Sequence, residues 1–201
     1  MHLVPVGPHA LLAEVPDARA AGALAGWVRR QDVPLDDVVP GARTVLFDGV
    51  RDPEGLRRLL EQAPADALIG GDLVDRQPVE VPVRYDGEDL SFVAQQWGTD
   101  EAGVVEQHQC LDLVSAFCGF APGFAYLAGL PDRLAVPRLQ TPRPRLRAGA
   151  VAIADTWCGV YPSASPGGWR VVGHTDAVMW DVDRDPPALL APGTRVRFVA
   201  R

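Results

Sequence analysis

Apolar positions follow two rhythms along the chain. Near the N-terminus, short apolar runs at His2 to Val6 and Ala10 to Val15 read as strands, and a stretch with helical spacing follows them. Leu24, Trp27 and Val28 fall on one face of a helix that Asp17 caps and that runs to about Arg30. Pro34, Pro40 and Gly41 punctuate the next segment as a loop. Thr44 to Val50 reads as a buried strand. Asp52 and Pro53 then supply the N-cap and first position of a second helix, buried along Leu56, Leu59 and Leu60. Strands alternating with two helices predict a small α+β sandwich of the ferredoxin-like kind.

The rhythm changes near Gln77-Pro78, which divides the chain into expected domains over residues 1–78 and 79–201. Val79 to Val83 alternates as a strand, and Pro82 within it marks a sheet edge. Two short helices follow, Leu90 to Trp97 closed by Gly98, and Asp100 to about Cys110 capped by Thr99. From Ala116 onward the helical signal stops. Glycines and prolines recur among short strand candidates at Ala150 to Ala154, Trp169 to Val172, Val178 to Asp181 and Arg195 to Val199. That pattern predicts a closed β-barrel, and the whole chain an α+β protein.

Composition narrows the chemistry. The 201 residues are 47% hydrophobic and 22% charged, enough to bury a core. No apolar run approaches a membrane span, and the N-terminus lacks the regions of a signal peptide, so a cytoplasmic protein is expected. Cys110, Cys118 and Cys158 show neither disulfide nor zinc spacing and read as buried, inert thiols, with no metal site expected. A net charge of −7 argues against a nucleic-acid partner. The helix pair around Gly98 resembles a helix-turn-helix only superficially, because its second helix carries Asp100, Glu101 and Glu106 and no arginine. All 19 basic residues are arginine. The chain therefore carries no P-loop, Schiff-base or biotinylated lysine, and a nucleotide site must use arginine, backbone amides and metal, or be shared with another subunit.

Five features carry candidate chemistry. His108, near the end of a helix, is a candidate proton shuttle or phosphate ligand, or a histidine that binds the last carbonyls of its helix. Phe120-Ala121-Pro122-Gly123-Phe124-Ala125-Tyr126-Leu127 places aromatic rings around a Pro-Gly turn, either lining a ligand pocket or capping the core. The basic segment Arg138 to Arg147 contains Thr141-Pro142-Arg143-Pro144-Arg145, where prolines stiffen the backbone around Arg143. Arg143 and Arg145 are thus candidates for an anion site, against a solvated loop. In Tyr161-Pro162-Ser163-Ala164-Ser165-Pro166-Gly167-Gly168-Trp169, Gly167 and Gly168 permit close approach of a ligand or a backbone, and Ser165 is a candidate donor. This is no nucleophile elbow of a serine hydrolase. His174, just beyond, is a candidate for the same pocket.

Taken together, these segments resemble the family that contains the B subunit of 5-oxoprolinase, the Kip inhibitor and allophanate hydrolase subunit 1. The resemblance rests on Gly119 to Leu127, Ser165 to Trp169, Ala10 to Glu14, Val81 to Gly87, Glu106-Gln107-His108, Thr141-Pro142-Arg143 and Asp185 to Leu190. It implies a cyclophilin-like barrel for the C-terminal domain, and standing partners, the C and A subunits of 5-oxoprolinase. With them it implies opening of the 5-oxoproline lactam to glutamate with ATP and Mg, shared with a partner subunit. It further implies Arg143 and Arg145 in anion stabilisation, His108 and His174 in proton transfer, and Gly123, Phe124, Tyr161, Ser165, Gly167, Gly168 and Trp169 at a substrate or nucleotide site. In the family an arginine commonly stands at the position of His174. Two other functions are implied by relatives: inhibition of a sensor histidine kinase, and half of a biotin-dependent carboxyltransferase.

Overall fold

The computed structural model describes residues 1–68 and 78–201. The chain divides into two compact units, Met1–Asp75 and Arg76–Arg201. Gln77, at the expected junction, lies outside the described residues.

In the first unit β1 (His2–Pro5), β2 (Leu11–Glu14), β3 (Asp37–Pro40) and β4 (Thr44–Asp48) form an antiparallel sheet in the order β1-β2-β4-β3. The order β1-β2-α1-β3-β4-α2 draws one outer strand from the N-terminal hairpin, where a β-α-β-β-α-β sandwich draws it from beyond the second helix. Period-2 alternation buries Leu11 and Ala13 opposite Phe47 and Val45. Helix α1 (Ala18–Arg29) packs Ala21, Leu24, Ala25 and Val28 into that core. The Asp17 carboxylate accepts from Ala20 N–H at 2.8 Å and starts the helix. Helix α2 (Pro53–Glu61) starts the same way, Asp52 accepting from Gly55 N–H at 2.9 Å, and buries Leu56 and Leu60. The segment expected as a loop around Pro34 to Gly41 contains β3. Val38 is buried there, and Pro40 sits at the strand's end on the sheet edge, where its missing N–H costs nothing.

The second unit is a nearly closed barrel of seven strands. β5 (Val79–Val83), β6 (Leu113–Cys118), β7 (Ala125–Ala128), β9 (Ala150–Ala154), β10 (Trp157–Val160), β12 (Arg170–His174) and β13 (Arg195–Ala200) run in the order β12-β9-β10-β7-β6-β13-β5. β8 (Arg143–Leu146) and β11 (Ser165–Gly167) form a separate two-stranded flap. The barrel closes where Arg84 and His174 exchange two backbone hydrogen bonds of 2.8 Å. Gly173 makes that seam possible, because a Cβ there would lie 2.3 Å from the Arg84 carbonyl oxygen. Inside the barrel, Val81, Val83, Leu113, Leu127, Ile153, Cys158, Val172 and Phe198 form the core. Helices α3 (Leu90–Trp97) and α4 (Glu101–Gln109) pack on it through Val93 and Val104. Gly98 closes α3 at φ +65°, as its position predicts.

Three expectations need correction. Asp100, not Thr99, caps α4, its carboxylate accepting from Gly103 N–H at 2.8 Å. Val178 to Asp181 is not a strand and makes only an isolated bridge between Trp180 and Ala188. Of the cysteines, only Cys158 is buried, with burial pushing its thiol up to about 12, whereas Cys118 is half-buried and Cys110 is exposed. Among the described residues no helix is long and apolar enough to cross a membrane.

Candidate functional site

The aromatic segment after β6 is a pair of tight turns. Ala121 N–H reaches the Gly119 carbonyl at 2.8 Å, which leaves Phe120 at the centre of a γ-turn with φ +70°. Phe124 N–H reaches the Ala121 carbonyl at 3.0 Å across Pro122 and Gly123, and Gly123 has φ +85°. A left-handed backbone strains a bulky residue by roughly 1–3 kcal/mol. Phe120 is 61% exposed, and what offsets that strain is the edge-to-face contact of its ring with Phe124 and Tyr161, ring centres 5.3 and 5.9 Å apart. Gly123 carries no side chain into the site. Its role is the turn, where a Cβ would lie 2.8 Å from the Cβ of Trp180.

These turns set Phe120 and Phe124 against the rest of an edge-to-face aromatic network. Phe124 meets Tyr161 and Trp169 with ring centres 5.2 and 5.3 Å apart, and Tyr126 meets Trp157 and Trp169 at 5.9 and 5.5 Å. The rings wall a cleft of about 430 Å³, within the range of small-molecule pockets, with Pro142, Pro166, Gly167, Gly168, Arg138 and Asp155 completing it. Gly167 is required there, since a Cβ would lie 2.5 Å from the Tyr161 hydroxyl. Burial pushes that hydroxyl's pKa up, while the Trp169 N–H and the Arg138 guanidinium pull it the other way. Phe124, Tyr161, Gly167, Gly168 and Trp169, singled out from sequence, therefore converge on one cleft.

The other candidates lie elsewhere. Arg143 is not a free anion receptor: its Nε is 3.0 Å from Glu88 and its Nη2 donates to Asp89 Oδ1 at 3.1 Å. Nη1 stands 2.9 Å from Asp89 Oδ2, a charge contact angled off a hydrogen bond. Asp89 is buried and also binds Arg170 Nη1 at 3.2 Å and the Val171 N–H at 2.8 Å. Burial alone would raise the Asp89 carboxyl's pKa, and these donors hold it below the usual carboxylate range. Arg170 in turn lies 3.7 Å over the Phe92 ring. Asp89 thus pins the flap, through Arg143 on β8, to β12 of the barrel. Arg145 is exposed and lines no part of the cleft. The Ser165 Oγ is buried and lacks a hydrogen-bond partner, and Ser165 also lies outside the lining.

His108 and His174 are not brought together. His108 is fully buried, stacks on Phe198 with ring centres 4.6 Å apart, and shares a 2.9 Å hydrogen bond through Nδ1 with the Tyr85 hydroxyl. Burial lowers its pKa to about 4. Neither His108 nor Tyr85 lines the cleft, and His108 lies in the core with its Nε2 buried and without a hydrogen-bond partner among the described residues. His174 sits at the barrel seam, its Nδ1 2.6 Å from Asp86 and its Nε2 3.3 Å from Arg147 Nη2. Arginine only donates, so Nε2 accepts and Nδ1–H donates to Asp86, which fixes the tautomer. His174 lines no part of the cleft either.

Sequence alone does not single out Arg138 or Asp155 as site residues. Arg138 is visible only as the first residue of the basic segment, and Asp155 gives no local signal beyond its place in a two-residue hairpin turn. Among the described residues, no group of three or more His, Cys, Asp or Glu is arranged to hold a metal ion.

Comparison with known proteins matches residues 1–190 to the family described as carboxyltransferase domain, subdomain C and D. The chain is 35% identical over 210 residues to the 5-oxoprolinase B subunit of Haemophilus influenzae, covering 99% of this chain and 97% of that protein. It is 48% identical over 124 residues to the 5-oxoprolinase B subunit of Escherichia coli O157:H7, an alignment spanning 60% of this chain and 57% of that protein. The crystal structure of TTHA0988 superposes with a TM-score of 0.81 at 35% identity, over 96% of this chain and 40% of the larger one. The chain thus spans less than two thirds of both the Escherichia coli relative and TTHA0988.

Proposed function

The chain belongs to the carboxyltransferase-domain family, in its 5-oxoprolinase B-subunit group, and on that premise we propose that it serves as the B subunit of an ATP-dependent 5-oxoprolinase. In this reading the complex converts 5-oxoproline, ATP and water to glutamate, ADP and phosphate, with the C and A subunits as partners. The observation that carries it is 35% identity over nearly the full length of a 5-oxoprolinase B subunit. ATP is needed because an unstrained lactam is a poor electrophile, and phosphorylating its oxygen makes a better one.

Two structural features support action within a complex. The barrel unit exposes Val178, Trp180 and Val182 at 59%, 40% and 78% within one segment, apolar exposure that a partner subunit would cover. The Arg143 guanidinium is already held by Glu88 and Asp89, and the chain has no lysine, so ATP and Mg are assigned to a site completed by a partner subunit. The family description favours one second reading, half of a carboxyltransferase, which needs a biotinyl-lysine from another chain. The test is glutamate release from 5-oxoproline and ATP by the three subunits. Activity dependent on this chain is expected. Undiminished activity without it, or none from well-folded, co-purifying partners, rejects the role.

A further inference from the structure

Two charged groups reach the aromatic cleft without a hydrogen bond or ion pair from their side chains among the described residues, although Arg138 lies within electrostatic reach of the Tyr161 hydroxyl. Arg138 is exposed, lines the cleft and makes no ion pair among the described residues. Its backbone is fixed on both sides: Val136 and Asp155 exchange hydrogen bonds of 3.0 and 2.6 Å, and Leu139 N–H reaches the Gly168 carbonyl at 2.8 Å. Arg170 Nε also donates to the Pro137 carbonyl at 3.2 Å. The guanidinium thus has no hydrogen bond or ion pair among the described residues, while the chain that carries it is held. The guanidinium lies beside Gly168, where a Cβ would be in van der Waals contact with Arg138 Nη2 at 3.5 Å.

Asp155 lines the same cleft from the β9–β10 hairpin turn. Its φ of +53° is the left-handed conformation that the first position of such a turn requires and that aspartate tolerates. Its carboxylate has no hydrogen bond or ion pair among the described residues. A cation and an acceptor on held backbone, together with aromatic walls, suit a ligand with three properties: one anionic group, one N–H donor and a compact body. A polyphosphate meets only one guanidinium here, and the neighbouring carboxylate repels its further charges.

We propose that this cleft binds a small cyclic monocarboxylate carrying an amide N–H, with Arg138 taking the carboxylate, Asp155 accepting the N–H, and the aromatic rings enclosing the body. Resting on the function proposed above, the ligand is 5-oxoproline, with its lactam oxygen facing the open mouth of the cleft, where a nucleotide site completed by a partner subunit brings the terminal phosphate to it. Arg138 is then the residue that sets affinity for the acid.

The test is steady-state kinetics of the reconstituted complex with this chain as wild type, Arg138→Ala, Arg138→Lys and, as a control outside the cleft, Arg145→Ala. Losing a charge-assisted contact raises KM for 5-oxoproline about tenfold or more in Arg138→Ala, with KM for ATP unchanged and partial recovery in Arg138→Lys. An unchanged KM for 5-oxoproline, or a rise in KM for ATP instead, overturns the cleft assignment while leaving the subunit role standing. If the wild-type complex is inactive, the subunit role fails, and titration of the chain alone decides the cleft. Trp157 and Trp169 line it and report occupancy by fluorescence. A saturable change with 5-oxoproline that Arg138→Ala abolishes supports the site, and its absence in the wild type rejects it.

Discussion

Replacing Arg143 by alanine separates the anchoring role of this arginine from the anion-binding role its sequence context suggests. The guanidinium lies 2.9–3.1 Å from Asp89 and 3.0 Å from Glu88, with 23% of its side chain exposed, while Asp89 is 4% exposed. Removing one partner of a buried ion pair costs about 3–5 kcal/mol. Here Asp89 keeps Arg170 and the Val171 N–H, and the Glu88 contact is solvent-screened, so about 2–3 kcal/mol is expected. Urea unfolding followed by tryptophan fluorescence measures it, because Trp97, Trp157, Trp169 and Trp180 lie in the barrel unit and only Trp27 in the other. With a slope of about 1–3 kcal/mol/M, the barrel midpoint falls by about 1–2 M. Arg145→Ala, at an exposed position, leaves it in place. A midpoint for Arg143→Ala within about 0.3 M of wild type refutes the anchoring role.

Other consequences follow from the same geometry. His108 has its pKa lowered from 6.5 to about 4 by burial, so the unfolded chain binds the proton first. Stability is full above about pH 6.5 and falls by about 3 kcal/mol as pH drops to about 4. His108→Leu should lack this component in urea titrations across that range, and an identical pH slope in both proteins contradicts it. Phe120→Gly releases a left-handed phenylalanine but loses its edge-to-face contacts with Phe124 and Tyr161 and adds unfolded-state entropy, so these effects largely offset and the thermal midpoint should stay near that of wild type. A clear drop would show that the ring contributes more packing than its exposure indicates. Gly173→Ala drives a Cβ to 2.3 Å from the Arg84 carbonyl at the barrel seam. It should cost more than about 2 kcal/mol and speed amide exchange at Arg84 and His174, whereas exchange unchanged from wild type would argue against closure at this seam.

Local signals carry much of the fold. Asp17 and Asp52 cap helices where the spacing of their apolar faces requires it, and Pro82 marks the sheet end where β5 lies. Strands β6, β7 and β10 escape a reading of the sequence because they are short and their partly exposed positions carry apolar residues such as Val114, Tyr126 and Trp157, so no polar alternation shows. β8 reads as a stiff loop because prolines flank Arg143, yet a two-stranded flap tolerates them. At the site, the aromatic and glycine residues are legible because turn chemistry is local. The roles of the arginines are not. Arg143 is neutralised by Asp89, 54 positions away, so nothing in the basic segment itself distinguishes the anchored arginine from Arg138 at the cleft. His108 likewise reads as a helix-end histidine until the stacking on Phe198 shows it to be core.

Stability and ligand recognition thus fall to different arginines of one short segment. Urea midpoints and 5-oxoproline-dependent glutamate release, both measured for Arg138→Ala and Arg143→Ala with the reconstituted complex, separate the two roles. Arg138→Ala should keep the wild-type midpoint and lose activity at low 5-oxoproline, while Arg143→Ala should lose about 1–2 M of midpoint. The reverse pattern, with a destabilised Arg138→Ala and a stable Arg143→Ala that no longer responds to substrate, would contradict this division.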